Sequence, residues 1–447
     1  MPISEDSRRA HTFLSGATKS GKSETIKYLI RHYLTKNTRP ALVVLDPHGK
    51  LAKEVAEMRE FAKNDRLVFI APSAFEKANV ALNPFDCRDK SETGLNTQSR
   101  QLMAALERVL GTWTDNARGI MPHCIALLLH RDGSTLYDLL KLMDDDNNAE
   151  LVRYGADQLP YEGNRRFFAD QFKTSRHYDS TKEMVRNRLQ QLLSSPVITR
   201  FLCRESTLDF EAAIDAGKVI VLNCTRSKMD QREVSQIGQF IMARIQGYCL
   251  TRELIKGNPM TPVHVFADEC QYFVNETVKE ILGENRKHGL HITLATQRTD
   301  QMAEDAGQKL VDAIIGNVGV FITGRGGGKT PEKLAPEISM KPDEIRDLEP
   351  LTFLYTEKAV ASRRPTIQTK IPYIGRNFKM TQDEWGETLS QQIKRYYRPL
   401  DTPETATEAK QGDLGQQTTP TRPLDPHAPK FAFQDLAKMR QQQPLKK

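Results

Sequence analysis

The stretch Gly16-Ala17-Thr18-Lys19-Ser20-Gly21-Lys22-Ser23, GATKSGKS, fits G-x-x-x-x-G-K-[ST] and decides how the rest of the chain is read. An apolar run, Thr12 to Ser15, precedes it. Ile26, Leu29, Ile30, Tyr33 and Leu34 follow at one-face helical spacing, and Pro40 is the next punctuation. Strand, glycine loop and helix in that order predict a phosphate-binding turn. Gly16 and Gly21 let the backbone curl so that successive N–H groups and the helix N-terminus face a β-phosphate. Lys22 supplies a point charge to the β- and γ-phosphates, and Ser23 offers a hydroxyl to Mg2+. A glycine-rich turn that binds nothing has no need of the Lys-Ser pair.

Outward from this loop, six further runs are apolar without alternation: 41–45, 67–70, 219–223, 263–267, 292–295 and 318–323. Strands buried on both faces have this appearance, and helical patterns lie between them. The expected fold is therefore α/β, a doubly wound and mostly parallel sheet. Residues 88–205 break the rhythm: helical patterns at 101–110, 123–129 and 136–143 come with hardly any strand-like run, which predicts an all-helical insert. The chain divides accordingly into 1–87, the first part of the α/β domain with its phosphate loop; 88–205, the insert; 206–398, the second part; and 399–447, a Thr-, Gln- and Pro-rich linker ending in a short docking helix.

The chain has 447 residues, enough for two or three domains with a sizeable core. With 38% hydrophobic and 27% charged residues it is neither disordered nor fibrous throughout. Its aliphatic runs fall far short of the roughly 18 apolar residues that span a bilayer, and the first residues have no apolar core of a secretory signal. A soluble, cytoplasmic protein is expected. Six scattered cysteines form no C-x-x-C pair, which suggests reduced thiols rather than a disulfide framework or a zinc site. The net charge of +7 is compatible with a polyanionic partner and decides nothing alone. Residues 165–205 hold nine basic and four acidic residues, a solvated helix face or a nucleic-acid surface. Residues 360–400 are similarly basic and carry Tyr373, Phe378, Trp385, Tyr396 and Tyr397, for which packing is a better expectation than stacking.

Hydrolysis needs an acid at the end of a neighbouring strand, and VHVFADEC supplies two. Asp268 is expected near the metal shell and Glu269 where it polarises the attacking water; a helix N-terminus is the plainer alternative for such a pair. Asp268 follows Lys22 by 246 residues, far more than a minimal phosphate-loop core needs, which matches the insert. In ENRKHGLHITLATQR a strand ends at Thr296 and Gln297, placing Gln297 to touch the γ-phosphate or the lytic water. Arg286 stands at a helix end, as a C-cap or as a finger reaching a neighbouring subunit's nucleotide. A second GKT occurs in TGRGGGKT, 323–330, but the position that needs the first glycine is Thr323. This segment reads as a mobile loop after a strand, with Arg325 as a second finger candidate.

Taken together, these pieces resemble the FtsK/HerA superfamily of ring ATPases, in particular the type IV secretion coupling proteins and their TraG/TraD-like relatives. The resemblance rests on the order and spacing of the loop at 16–23, VVLDPHGKL at 43–51, LNPFD at 82–86, VLNCTRSKM at 221–229, VFADECQYF at 265–273, RKHG at 286–289 with LATQ at 294–297, and GNVGVFITGR at 316–325. It implies a RecA-like motor domain with an inserted all-α domain, binding ATP and Mg2+, assembled as a homo-hexamer that pumps DNA through a central channel. It carries over Lys22 and Ser23 for phosphate and metal, Asp268 and Glu269 for metal and water, Gln297 as γ-phosphate sensor and Arg286 as trans-acting finger; Asp46 is a supporting candidate. Coupling proteins usually carry N-terminal membrane helices, whereas here the loop begins at residue 16; the expectation is either a soluble relative that docks onto a separate membrane partner at the inner face of the membrane, or an anchor that lies on another chain. The leading expectation is an ATP-driven DNA translocase of conjugative or mobile-element transfer. Its rivals are a secretion ATPase acting on protein cargo and a nucleotide-gated adaptor that recruits a relaxase or effector.

Overall fold

Alternate residues of the apolar runs point to opposite faces of one sheet, and each face has its own core. In strand β2 (Ala41–Asp46), Leu42 and Val44 join one cluster, while Ala41, Val43 and Leu45 join the other. The same split divides Leu14 from Phe13 in β1 (Thr12–Ser15). The computed structural model describes residues 10–400 apart from 36–37, 76, 88, 174–177, 226–227, 252–259, 275, 285–287 and 359–364. The linker and docking helix expected near the C-terminus, 401–447, lie outside the described residues, as does Arg286.

The other strands of this sheet are β3 (Leu67–Ile70), β5 (Val219–Asn223), β6 (Val263–Ala267), β7 (Leu290–Thr296), β8 (Val320–Gly324), β9 (Thr352–Glu357) and β10 (Ile367–Lys370). They are ordered β10-β9-β8-β1-β7-β6-β2-β5-β3. From β8 to β3 every pairing is parallel; β9 runs antiparallel to β8, and β10 to β9. The expected α/β fold with a mostly parallel sheet is borne out, and all seven apolar runs are strands. Two additions come from the antiparallel edge. β10 is largely exposed and has no apolar run to reveal it; β9 is wholly buried but mixes Thr352, Thr356 and Glu357 with its apolar residues. A separate two-stranded ribbon joins β4 (Ala78–Asn79) to β11 (Arg398–Pro399).

One face is covered by helices α1 (Lys22–Thr35) and α2 (Lys50–Ala56) and by the helix Gln382–Tyr396. The other receives the long helix Gln231–Thr251 and the helices found between residues 92 and 202. No strand occurs among the described residues from 89 to 205. Leu102, Leu106, Trp113, Leu127 and Phe168 of this helical stretch share one core with Val43 and Leu45 of the sheet. Among the described residues, at least five of its basic side chains at 165–205 are engaged locally. Lys182 pairs with Asp145 at 2.8 Å, Arg166 with Glu162 at 2.5 Å, and Arg165, Lys173 and Arg188 donate to backbone carbonyls. Much of that charge therefore serves the fold.

The C-terminal aromatics mostly pack. Trp385 meets Phe69 edge-on at 5.9 Å, Phe378 lies under the Arg31 guanidinium at 4.0 Å, and Tyr396 is buried. The Tyr397 hydroxyl donates to Phe69 O and accepts from Ala71 N–H, both at 2.9 Å. Tyr373 is the exception, 67% exposed. All six cysteines are free thiols. No helix among the described residues is long and apolar enough to cross a membrane.

Candidate active site

The loop from Gly16 to Gly21 leaves the carboxyl end of β1, and its backbone is tied to three neighbouring segments. Gly16 N–H donates to Thr296 O at the end of β7 at 3.2 Å, Ala17 N–H to Arg325 O beyond β8 at 2.7 Å, and Leu351 N–H to Ser20 O at 2.8 Å. Lys19 adopts a left-handed backbone with φ 65°, and Gly21 has φ 106°. At Gly21 a Cβ would also stand 2.7 Å from Leu351 Cδ2, so conformation and space both require glycine. α1 then starts at Lys22, which turns its side chain inward and is 7% exposed.

β6, two strands away from β1, is followed directly by Asp268 and Glu269. Glu269 takes φ 45° and ψ 57°, a left-handed conformation that costs a non-glycine residue about 1–2 kcal/mol. The carboxylate so placed meets Lys22 Nζ at 2.5 Å, with Asp268 Oδ1 at 3.4 Å on the same ammonium. Gln297, at the end of the intervening β7, donates from Nε2 to Glu269 Oε1 at 2.7 Å and accepts from the Thr18 hydroxyl at 2.6 Å. The structure thus brings Thr18, Lys22, Asp268, Glu269 and Gln297 together at one mouth of the sheet. Ser23 follows Lys22 in the first turn of α1 and is half-buried.

Burial is the largest influence on all three ionisable groups, and the outcome differs by partner. It opposes the charge of Lys22, yet Asp268 and Glu269 outweigh it and hold the lysine above its ordinary pKa. It would raise Glu269, but the charge and hydrogen bond of Lys22, with bonds from Gln297 and Gln271, hold that carboxyl below the usual range. For Asp268 burial prevails, helped by the nearby charges of Glu269 and Asp46, and its pKa is raised. Its buried Oδ1 has no hydrogen-bond donor, and the buried Ser20 hydroxyl is also unsatisfied. A desolvated carboxylate whose Oδ1 meets only the Lys22 ammonium, at 3.4 Å, suits the shell of a hydrated cation.

Asp46 has a different task. Its two oxygens accept from His48 N–H and Ala52 N–H, both at 2.8 Å, so it fixes the turn into α2. Arg325 is exposed, and only its carbonyl is engaged by the loop. Sequence reasoning missed Gln271 and Thr296. Gln271 donates from Nε2 to the second Glu269 oxygen at 3.1 Å and accepts at Oε1 from the Thr296 hydroxyl at 3.3 Å. Gln271 stands two positions after Glu269 in a single turn, Cys270–Tyr272, for which no periodicity gives a signal.

A phosphate loop whose lysine faces strand-end acids across a mainly parallel sheet defines a P-loop NTPase fold. A family model described as the type IV secretion-system coupling protein DNA-binding domain matches residues 1–338, and the chain belongs to that family. No curated protein is significantly similar in sequence. Among solved structures the chain is similar to the plasmid coupling protein TrwB in complex with the ATP analogue ADPNP, at TM-score 0.60 and 15% identity over 85% of this chain and 88% of that one. It is also similar to TrwB in complex with ADP and Mg2+, at TM-score 0.56 and 16% identity over 85% and 89%. VirB4 of Thermoanaerobacter pseudethanolicus follows at TM-score 0.51 and 13% identity over 81% and 89%. At such identities the likeness is one of fold.

Proposed function

We propose that this chain is an ATP-hydrolysing ring motor that translocates DNA in conjugative or mobile-element transfer. The observation that carries the reading is the 2.5 Å contact between Lys22 and Glu269, two residues 247 positions apart that meet at the mouth of the sheet. The family, described by a DNA-binding domain, and the nucleotide complexes of TrwB support it.

In this reading the loop from Gly16 to Ser23 receives the phosphates of ATP, and Ser23 and Asp268 hold Mg2+. The cation, when bound, neutralises charge that develops on the β- and γ-phosphate oxygens. Lys22 and Glu269 neutralise each other here. A triphosphate that takes over the lysine's charge releases the Glu269 carboxylate to accept a proton from water, while Gln271 and Gln297 hold it in place. Because Gln297 bridges Thr18 of the loop and Glu269, it is placed to sense whether a γ-phosphate is present. In a homo-hexamer, Arg286 of a neighbouring subunit completes the site, and the helical insert at 88–205 faces DNA or a relaxase.

The test is ATP hydrolysis by the purified chain, with and without single- and double-stranded DNA, at two salt concentrations. A motor gives DNA-stimulated turnover whose stimulation falls steeply with salt. Turnover indifferent to any DNA, yet raised by a protein cargo, would move the reading to a secretion ATPase.

A further inference from the structure

Two walls bound the phosphate loop, and they differ in chemistry. On the β7 and β6 side stand Lys22, Glu269 and Gln297, bonded to one another. On the β8 side, β9 and β10 bring the chain back to the same mouth. Leu351, just before β9, donates to Ser20 O at 2.8 Å, and Ile371, just after β10, donates to Leu351 O at 2.8 Å. Three residues on, Ile374 N–H donates at 2.9 Å to Glu24 Oε2, the residue next to Ser23 at the start of α1. The segment 371–375, IPYIG, is thereby laced to the first turn of the phosphate-loop helix.

Within that segment Ile371 and Ile374 are buried, whereas Tyr373 between them is 67% exposed. Its ring turns back over Gly375, where a Cβ would stand 3.0 Å from Cε1 and 3.1 Å from Cδ1. The glycine admits the ring, which leaves an aromatic surface open next to Ile374, the residue bonded to the first turn of α1. A triphosphate whose γ end faces Lys22 and Glu269 has to direct its nucleoside away from the acid wall, because that wall is filled by its own hydrogen bonds. One direction open to it is the side of 351 and 371–375, which is tied to Ser20 and Glu24.

We propose that Tyr373 is the platform on which the nucleobase stacks. The inference rests on the nucleotide reading of the loop and adds to it the chemistry of base recognition. A stacking surface uses the π-face that every purine has. Nothing in the segment need read the Watson–Crick edge for binding to occur, so adenine and guanine nucleotides are expected to bind with similar affinity.

The experiment titrates the full chain with ATP, GTP and inorganic tripolyphosphate, comparing wild type with Tyr373→Ala and Tyr373→Phe. Alanine should raise the Kd for ATP and GTP about tenfold, within the range measured for base stacking on aromatic side chains, and leave tripolyphosphate binding unchanged. Phenylalanine should restore both nucleotides, since the ring and not the hydroxyl acts. Equal ATP affinity in wild type and Tyr373→Ala would overturn the platform while the phosphate site stands. So would a parallel loss of tripolyphosphate, which marks damage to the loop. A wild type that binds tripolyphosphate and neither nucleotide also overturns it. Failure of the wild type to bind any of the three would remove the nucleotide reading itself, and the platform with it.

Discussion

Two loops of this chain carry Gly-Lys followed by a hydroxyl residue, and each follows a parallel strand and opens a helix: 16–23 after β1 and 323–330 after β8. The strands are neighbours, yet the lysines have opposite fates. Lys22 is buried against two carboxylates, whereas Lys329 is exposed. The hydroxyls differ too. Thr330 is buried and accepts from Thr299 N–H at 3.0 Å, so it ties the second loop to the start of the helix Thr299–Ala306 that follows β7. The first glycine of the pattern is Thr323 in the second loop, a strand residue paired with Leu354 of β9. β1 has β7 beside it and β6 beyond, with Gln297 and the acids at their carboxyl ends. β8 has antiparallel β9 on its far side, which begins rather than ends at the mouth. A phosphate loop is thus made by what the adjacent strands deliver to it as much as by its own letters.

The largest effect should come from Lys22→Ala. ATP hydrolysis should fall by about 10²–10³-fold or more, the range for losing one charge-stabilising donor, and phosphate release measures it. Next in size is the fold itself. Without Lys22 the buried Asp268 and Glu269 face each other unpaired, which should cost roughly 3–5 kcal/mol in denaturant unfolding. Both acids would then titrate above their unfolded values. A raised folded pKa contributes stability below the unfolded pKa that is lost as pH rises through the folded one. Lys22→Ala should therefore regain stability as pH falls from the raised folded pKa values toward the ordinary carboxylate range, while the wild type, whose Glu269 is held low, should not regain it at that position.

Gln271→Ala should have a smaller consequence, about tenfold in kcat with the Kd for ATP unchanged, because it frees one oxygen of Glu269 without touching the loop. Smallest of all, Lys329→Ala should leave hydrolysis within about twofold of wild type. A large loss there would break the contrast between the two loops. Surface substitutions of this kind generally change stability by about 0.5 kcal/mol or less.

The parallel part of the sheet was legible because strands buried on both faces, such as Ala41–Asp46 and Val219–Asn223, have no polar alternation to obscure them. The phosphate loop and the acids that follow β6 were legible for a related reason: parallel strands leave their functional groups at one end. The antiparallel edge was not. Ile367–Lys370 is a strand through its pairing with β9 and not through its own pattern. Gln271 and Leu351 act through contacts that only the closed fold creates. Tyr373 looked like its neighbours Phe378 and Trp385 in sequence; they pack, and it remains open to solvent.

The most direct test of the account is a paired measurement on Glu269→Gln in the full chain, with ATP affinity from equilibrium titration and hydrolysis from phosphate release in the presence of DNA and Mg2+. Glutamine keeps the shape of the side chain but can neither pair its charge with Lys22 nor take a proton from water. The account predicts ATP binding at least as tight as wild type and hydrolysis reduced by at least about 10²-fold. Hydrolysis at the wild-type rate would contradict it.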